Sequence, residues 1–112
     1  MLEIAQTIIN VLEEKKGEKI LLIDINQISS FTDYFIICTG TSDRMLDALA
    51  DSVVKSVHEK HNIKGRIEGT SRCGWVLIDF GSILVHLFSP DQRDYYQLEK
   101  LWQEGKIILH VQ

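Results

Sequence analysis

The segment Trp75-Val76-Leu77-Ile78-Asp79-Phe80-Gly81-Ser82-Ile83-Leu84-Val85-His86-Leu87-Phe88 constrains the fold more than any other part of the chain. Two apolar runs of strand length flank Gly81-Ser82, and glycine supplies the positive φ that a tight hairpin turn demands. With a two-residue loop, Phe80 opposes Ile83, Asp79 opposes Leu84, and the pairing runs outward to Trp75 opposite Phe88. Side chains alternate across a sheet. One face therefore carries Val76, Ile78, Phe80, Ile83, Val85 and Leu87, wholly apolar and destined for a core. The other carries Trp75, Leu77, Asp79, Leu84, His86 and Phe88. A slip of one residue would exchange the two faces.

The second face mixes large aromatic and leucine side chains with a carboxylate and an imidazole, and two readings of it stand. In one, a helix covers the face and the polar pair is satisfied locally. In the other, the face meets a partner, because aromatic anchors ringed by a few oriented polar groups are the composition of a binding hot spot.

The remaining elements follow from periodicity. Ile4, Ile8, Val11 and Leu12 recur at helical spacing, which predicts a helix over residues 2–16 stopped by Gly17. Strands are predicted at Lys19 to Ile25, Tyr34 to Thr39, Arg66 to Thr70, Trp75 to Phe80 and Ile83 to Phe88, with a polar stretch from Gln27 to Asp33. Leu46, Leu49, Ala50, Val53, Val54 and Val57 share one face of a long helix that opens at Gly40-Thr41-Ser42-Asp43 and fades near His61-Asn62. Ser89-Pro90-Asp91-Gln92 spells a further helix start, with Ser89 as cap and Gln92 closing a capping box. That helix is predicted to reach Trp102, with Tyr95, Leu98, Leu101 and Trp102 as its apolar face. Residues 103–112 are a tail, or an edge strand from Lys106 to Val111. The sum is an α/β chain, a mixed sheet of about five strands packed with helices, in one domain over residues 1–112.

The chain has 112 residues, room for one domain, and carries 12 basic against 16 acidic side chains for a formal charge of −4. An acidic balance argues against a protein that coats nucleic acid by bulk charge and favours a basic partner. The start, Met1-Leu2-Glu3-Ile4, lacks the basic region and apolar stretch of a secretory signal, and no apolar run reaches membrane-spanning length. Cys38 and Cys73 fit neither a disulfide framework nor a zinc knuckle, so a reduced, cytoplasmic protein is expected. Cys38, inside an apolar run, is expected to be a small buried side chain.

Candidate chemistry is thin. Gly40-Thr41-Ser42-Asp43 lies where backbone amides can meet an anion, but no Walker-type Lys-Ser/Thr follows. Nucleotidyl transfer needs paired carboxylates for magnesium, whereas Asp24 and Asp79 each stand alone on their strands. His58 and His61 lie one helical turn apart without a third ligand, so no metal is expected. His86 beside Asp79 resembles a base with no nucleophile marked nearby, and no catalytic residue is assigned. Asp43, Asp47 and Asp51 recur every four residues, either as a solvated face or as an electrostatic guide for a basic partner.

Taken together, these residues resemble the ribosomal silencing factor family, also called Iojap-like. The matching segments are Ser30-Phe31-Thr32-Asp33-Tyr34-Phe35-Ile36-Ile37-Cys38-Thr39-Gly40-Thr41-Ser42-Asp43-Arg44, Glu68-Gly69, Trp75 to Gly81, Val85-His86-Leu87-Phe88, and Tyr95-Tyr96-Gln97-Leu98-Glu99-Lys100-Leu101-Trp102. They span residues 2 to about 102 in the family's order. The resemblance implies a nucleotidyltransferase-like fold without its catalytic carboxylates, and a translational repressor without cofactor or enzymatic activity. It further implies binding to the large ribosomal subunit through ribosomal protein L-fourteen, a block on joining of the small subunit under nutrient limitation, and a homodimer. On that basis the expected partner-binding residues are Trp75, Leu77, Asp79, His86 and Phe88, with Glu68 nearby. In the rival assignment this face forms the dimer and the acidic helix docks. Two other functions stand beside this one: a nucleotide-binding or nucleotidyl-transferring enzyme, and a role in ribosome maturation.

Overall fold

The computed structural model describes residues 2–26, 32–97 and the strand 106–111. Helix α1 (Leu2–Glu14) is followed by β1 (Glu18–Asp24), β2 (Tyr34–Thr39) and the long helix α2 (Asp43–His61). Then come β3 (Arg66–Thr70), a single 3₁₀ turn at Ser71–Cys73, β4 (Trp75–Asp79), β5 (Ile83–Phe88), the short helix α3 (Pro90–Tyr96) and β6 (Lys106–Val111). The strands form one mixed sheet in the order β3-β4-β5-β2-β1-β6. Among the described residues only β2 and β5 run parallel, and α2 lies on the connection between them.

Local chemistry accounts for the boundaries. Helix α1 stops two residues short of the expected 16 because Lys16 takes a left-handed φ of 71°. The Gly17 N–H then closes on the Leu12 carbonyl at 2.7 Å. Helix α2 starts on Ser42, whose hydroxyl accepts the Met45 N–H at 3.1 Å, and ends on Asn62 in the left-handed conformation. Strand β1 begins with a bulge in which Lys19 takes φ 50°.

The hairpin forms in the register read from its alternation: Asp79 opposite Leu84, Leu77 opposite His86, Trp75 opposite Phe88. Phe80 donates to the Ile83 carbonyl at 3.0 Å, and Gly81 turns the chain at φ 87°. Val76, Ile78, Ile83, Val85 and Leu87 are buried beneath α1 and α2, which share that side of the sheet. Leu21, Ile23, Ile25, Phe35, Ile37 and Phe88 form a second cluster on the opposite side, with Trp75 and Leu84 packed against it.

Helix α3 departs from expectation. It ends at Tyr96 because Gln97 adopts φ 44° and donates its N–H to the Arg93 carbonyl, so the helix does not run unbroken to Trp102. Leu98, Leu101 and Trp102 lie outside the described residues, as do residues 27–31 of the polar stretch. The side chain that α3 buries is Arg93, not Tyr95, which is 78% exposed. Arg93 donates to the Lys19 carbonyl at 2.6 Å and to the Thr39 hydroxyl at 3.0 Å, tying α3 to the β1 bulge and the end of β2.

Candidate functional site

Strand β4 is set one position in from the sheet edge, and its alternation brings Trp75, Leu77 and Asp79 to the face away from α1 and α2. The edge strand β3 places Glu68 opposite Leu77. Helix α3 adds Gln92 and Tyr96, one turn apart on the same side. It is held back over β4 because Ser89 donates its N–H to the Gly74 carbonyl at 2.9 Å, while the Ser89 hydroxyl accepts the Gln92 N–H. The Ser89 N–H thus goes to Gly74 rather than to the Gln92 side chain that a capping box would use. Gly74, at φ 79°, permits this approach: a Cβ there would lie 2.6 Å from the Ser89 oxygen.

The result is an open groove of about 320 Å³ lined by Glu68, Gly69, Cys73, Trp75, Leu77, Gln92 and Tyr96. Trp75 is its central wall. Its ring lies 4.7 Å from Tyr96, 5.1 Å from Phe88 and 5.9 Å from His86, centroid to centroid. The indole Nε1 donates to His86 Nδ1 at 3.2 Å. An indole can only donate, so Nδ1 accepts and the neutral imidazole carries its proton on Nε2.

His86 is 5% exposed, and its Nε2 is buried without a hydrogen-bond partner among the described residues. Burial lowers its pKa to about 4. With one nitrogen bonded and the other protonated, the ring has no free lone pair for a metal or for base catalysis. Nor does Asp79 serve it. That carboxylate takes the Arg66 guanidinium at 3.2 Å and the Gly81 N–H at 2.7 Å, so it caps the hairpin turn.

Six partner-binding residues were expected on this face, and the structure sorts them into two tiers. Glu68 is exposed, and Trp75, Leu77 and Asp79 are partly exposed. Phe88 and His86 are buried, because β5 is an interior strand with β4 on one side and β2 on the other. These two support the Trp75 ring from beneath and do not themselves present a contact surface. The groove residues that the sequence reading missed are Gly69, Cys73, Gln92 and Tyr96, of which Tyr96, 41% exposed, is the large apolar one. Its signal was available: a helix beginning at Pro90 puts Gln92 and Tyr96 on one face.

The other candidates resolve into local roles. Asp24 on β1 and Asp79 on β4 are separated in the sheet by β2 and β5, so they do not form a carboxylate pair. Asp43, Asp47 and Asp51 are all exposed along α2, and Asp47 accepts a hydrogen bond from the Ser71 hydroxyl at 3.0 Å. His61 pairs through Nε2 with the Thr7 hydroxyl at 2.8 Å, joining α2 to α1. Among the described residues no three His, Cys, Asp or Glu side chains gather as a metal site. No helix among them is long and apolar enough to cross a membrane. The Cys38 thiol is buried, which pushes its pKa up to about 12, whereas Cys73 is exposed at the groove.

Comparison with known proteins places this architecture. The family model described as ribosomal silencing factor during starvation, RsfS, matches residues 1–112. The chain belongs to this family. It is 37% identical over 106 residues to the ribosomal silencing factor RsfS of Halalkalibacterium halodurans, covering 95% of this chain and 91% of that one. It is 35% identical over 98 residues to mouse mitochondrial assembly of ribosomal large subunit protein 1, covering 85% of this chain and 43% of the mouse protein. A crystal structure of a Chromobacterium violaceum protein superposes with a TM-score of 0.87 at 36% identity, covering 92% of this chain and 86% of that one.

Proposed function

We propose that this protein is a ribosome-associated silencing factor that acts by occupying a surface and not by catalysing a reaction. It binds the large ribosomal subunit through ribosomal protein L-fourteen, blocks joining of the small subunit, and lowers translation when nutrients are short. It works in the cytoplasm, requires no cofactor, and forms a homodimer.

The observation that carries this reading is the Trp75 groove in a chain of this family. Its aromatic walls are braced from below by His86 and Phe88, and Glu68 stands at the rim. Preorganised aromatic surface with a carboxylate beside it suits the docking of a basic protein segment. The names of the relatives support the same direction, toward ribosomal silencing and, in the mouse protein, the large subunit. Steric occlusion needs affinity and bulk. It makes no demand for a nucleophile, a base or a metal.

The joining assay tests it. Purified large and small subunits are mixed in magnesium with rising amounts of the protein, and joined ribosomes are separated from free subunits on a sucrose gradient. The proposal expects free subunits to accumulate in proportion to protein bound on the large subunit. Unchanged joining with the protein at saturation contradicts it. Magnesium-dependent nucleotide binding by the isolated protein would instead support a nucleotidyl-transferring enzyme.

A further inference from the structure

Helix α3 straddles the sheet. It leaves the end of β5, which has β4 on one side and β2 on the other. On the β4 side Tyr96 stands 4.7 Å from Trp75, centroid to centroid, and forms a wall of the groove. On the β2 side Arg93 reaches the Thr39 hydroxyl at the end of β2 and, one strand further, the Lys19 carbonyl in the β1 bulge. Arg93 is 7% exposed, and among the described residues it is the one α3 side chain that is buried.

A helix this short does not hold its own place. Its 7 residues make two turns, below the length at which a helix persists without tertiary contacts. The first turn is fixed by the Ser89 N–H on the Gly74 carbonyl. Beyond it, Nη1 of Arg93 donates to two acceptors at once, at 2.6 and 3.0 Å, which sets direction as well as distance. An apolar side chain of similar volume would fill the same space without burying a charge, often at no loss of stability. What the guanidinium adds is orientation. The carbonyl it takes is presented by Lys19 at φ 50°, a left-handed backbone that persists in a non-glycine residue where its surroundings hold it. Gln92 and Tyr96 face the groove, and Arg93 lies about 100° round the helix from Gln92. A rotation of α3 that released Arg93 would therefore also carry Tyr96 away from Trp75.

We propose that Arg93 is a positioning residue for the docking groove: it pins the α3 wall to the ends of β1 and β2 and so fixes Tyr96 against Trp75, without touching the bound partner. The inference deepens the function proposed above and rests on its groove-docking reading. It makes affinity for the large subunit depend on two residues, Thr39 and Arg93, that are buried away from any contact surface.

Co-sedimentation with large ribosomal subunits tests it on the whole protein. Arg93→Lys, folded by circular dichroism, should bind about tenfold more weakly than wild type, and Tyr96→Ala should also lose affinity. The double variant should bind within about twofold of Tyr96→Ala alone, because Arg93 acts through the wall that Tyr96 forms. Thr39→Val is the second variant. It removes one acceptor, leaves the arginine in place, and should weaken binding in the same direction. Val53→Ala is the control: it opens a cavity in the core beneath α1 and α2, and should lower the melting temperature without changing affinity. Wild-type affinity in folded Arg93→Lys and Thr39→Val overturns the proposal. So does a double variant that loses the product of the two single effects, or a Val53→Ala loss as large as that of Arg93→Lys. Trp75→Ala separates the two readings. If it binds as wild type does, groove docking itself falls and the pin with it; if it loses binding while Arg93→Lys and Thr39→Val keep theirs, only the pin falls.

Discussion

Trp75 donates its indole N–H to Nδ1 of His86 across the β4–β5 hairpin at 3.2 Å, and this one bond sets both the tautomer of the histidine and the orientation of the groove wall. An imidazolium has no acceptor nitrogen. Protonating His86 would turn an N–H toward an N–H and place a charge among aromatic rings.

The sign of the resulting pH dependence follows from linkage. The folded-state pKa, about 4, lies below the ordinary value of 6.5 because burial disfavours the charged ring. Between those values the unfolded chain binds a proton that the folded chain refuses. Stability from this group is therefore complete above about pH 6.5 and is lost as pH falls toward 4, by about 3 kcal/mol in all. Urea unfolding at pH 7 and pH 4.5 should show most of that loss in wild type. In His86→Phe the difference between the two pH values should shrink by a comparable amount.

Arg93 should be the most costly single side chain to remove from α3. Truncation to Ala strands the Lys19 carbonyl and the Thr39 hydroxyl. Two bonds from a charged donor suggest a loss of about 3 kcal/mol in denaturant unfolding. Arg93→Lys should recover only part of it, since an ammonium does not reproduce the planar fork.

How much of this was legible in the chain differs between residues. The hairpin register was legible because Gly81 fixes the turn and alternation fixes the faces. Helix α2 was legible because its apolar spacing and its Ser42 cap agree. Arg93 was not, because its partners lie 74 and 54 residues away and only the folded sheet brings them together. Nor was the burial of His86 and Phe88. Alternation tells which face a side chain occupies, but strand order tells whether that face is open at that strand. The parallel pairing of β2 with β5, which makes β5 interior, leaves no local signal.

Gly69 couples the backbone of the edge strand to the groove. A Cβ at this position would sit 2.3 Å from the Trp75 carbonyl oxygen, and φ is 81°. Gly69→Ala should therefore cost about 2 kcal/mol of stability through strain and crowding. Denaturant unfolding reads the cost, and a shift in tryptophan emission reports displacement of the Trp75 wall.

The two thiols should separate by reactivity. Cys38 is buried with its pKa pushed up to about 12, and Cys73 is exposed. In the native protein one thiol per chain should react with a maleimide, and mass spectrometry should place it on Cys73. Denaturation should expose the second.

The central claim is that the Trp75 groove docks on the large ribosomal subunit. Co-sedimentation of the protein with separated large and small subunits, comparing wild type with Trp75→Ala and with a variant in which Asp43, Asp47 and Asp51 are all changed to Asn, tests it most directly. The account predicts wild-type binding to the large subunit alone. It also predicts that Trp75→Ala, still folded by circular dichroism, loses about 2 kcal/mol or more of affinity, roughly thirtyfold. Full binding by folded Trp75→Ala, with loss in the Asp43, Asp47 and Asp51 variant, would contradict the groove and move docking to α2.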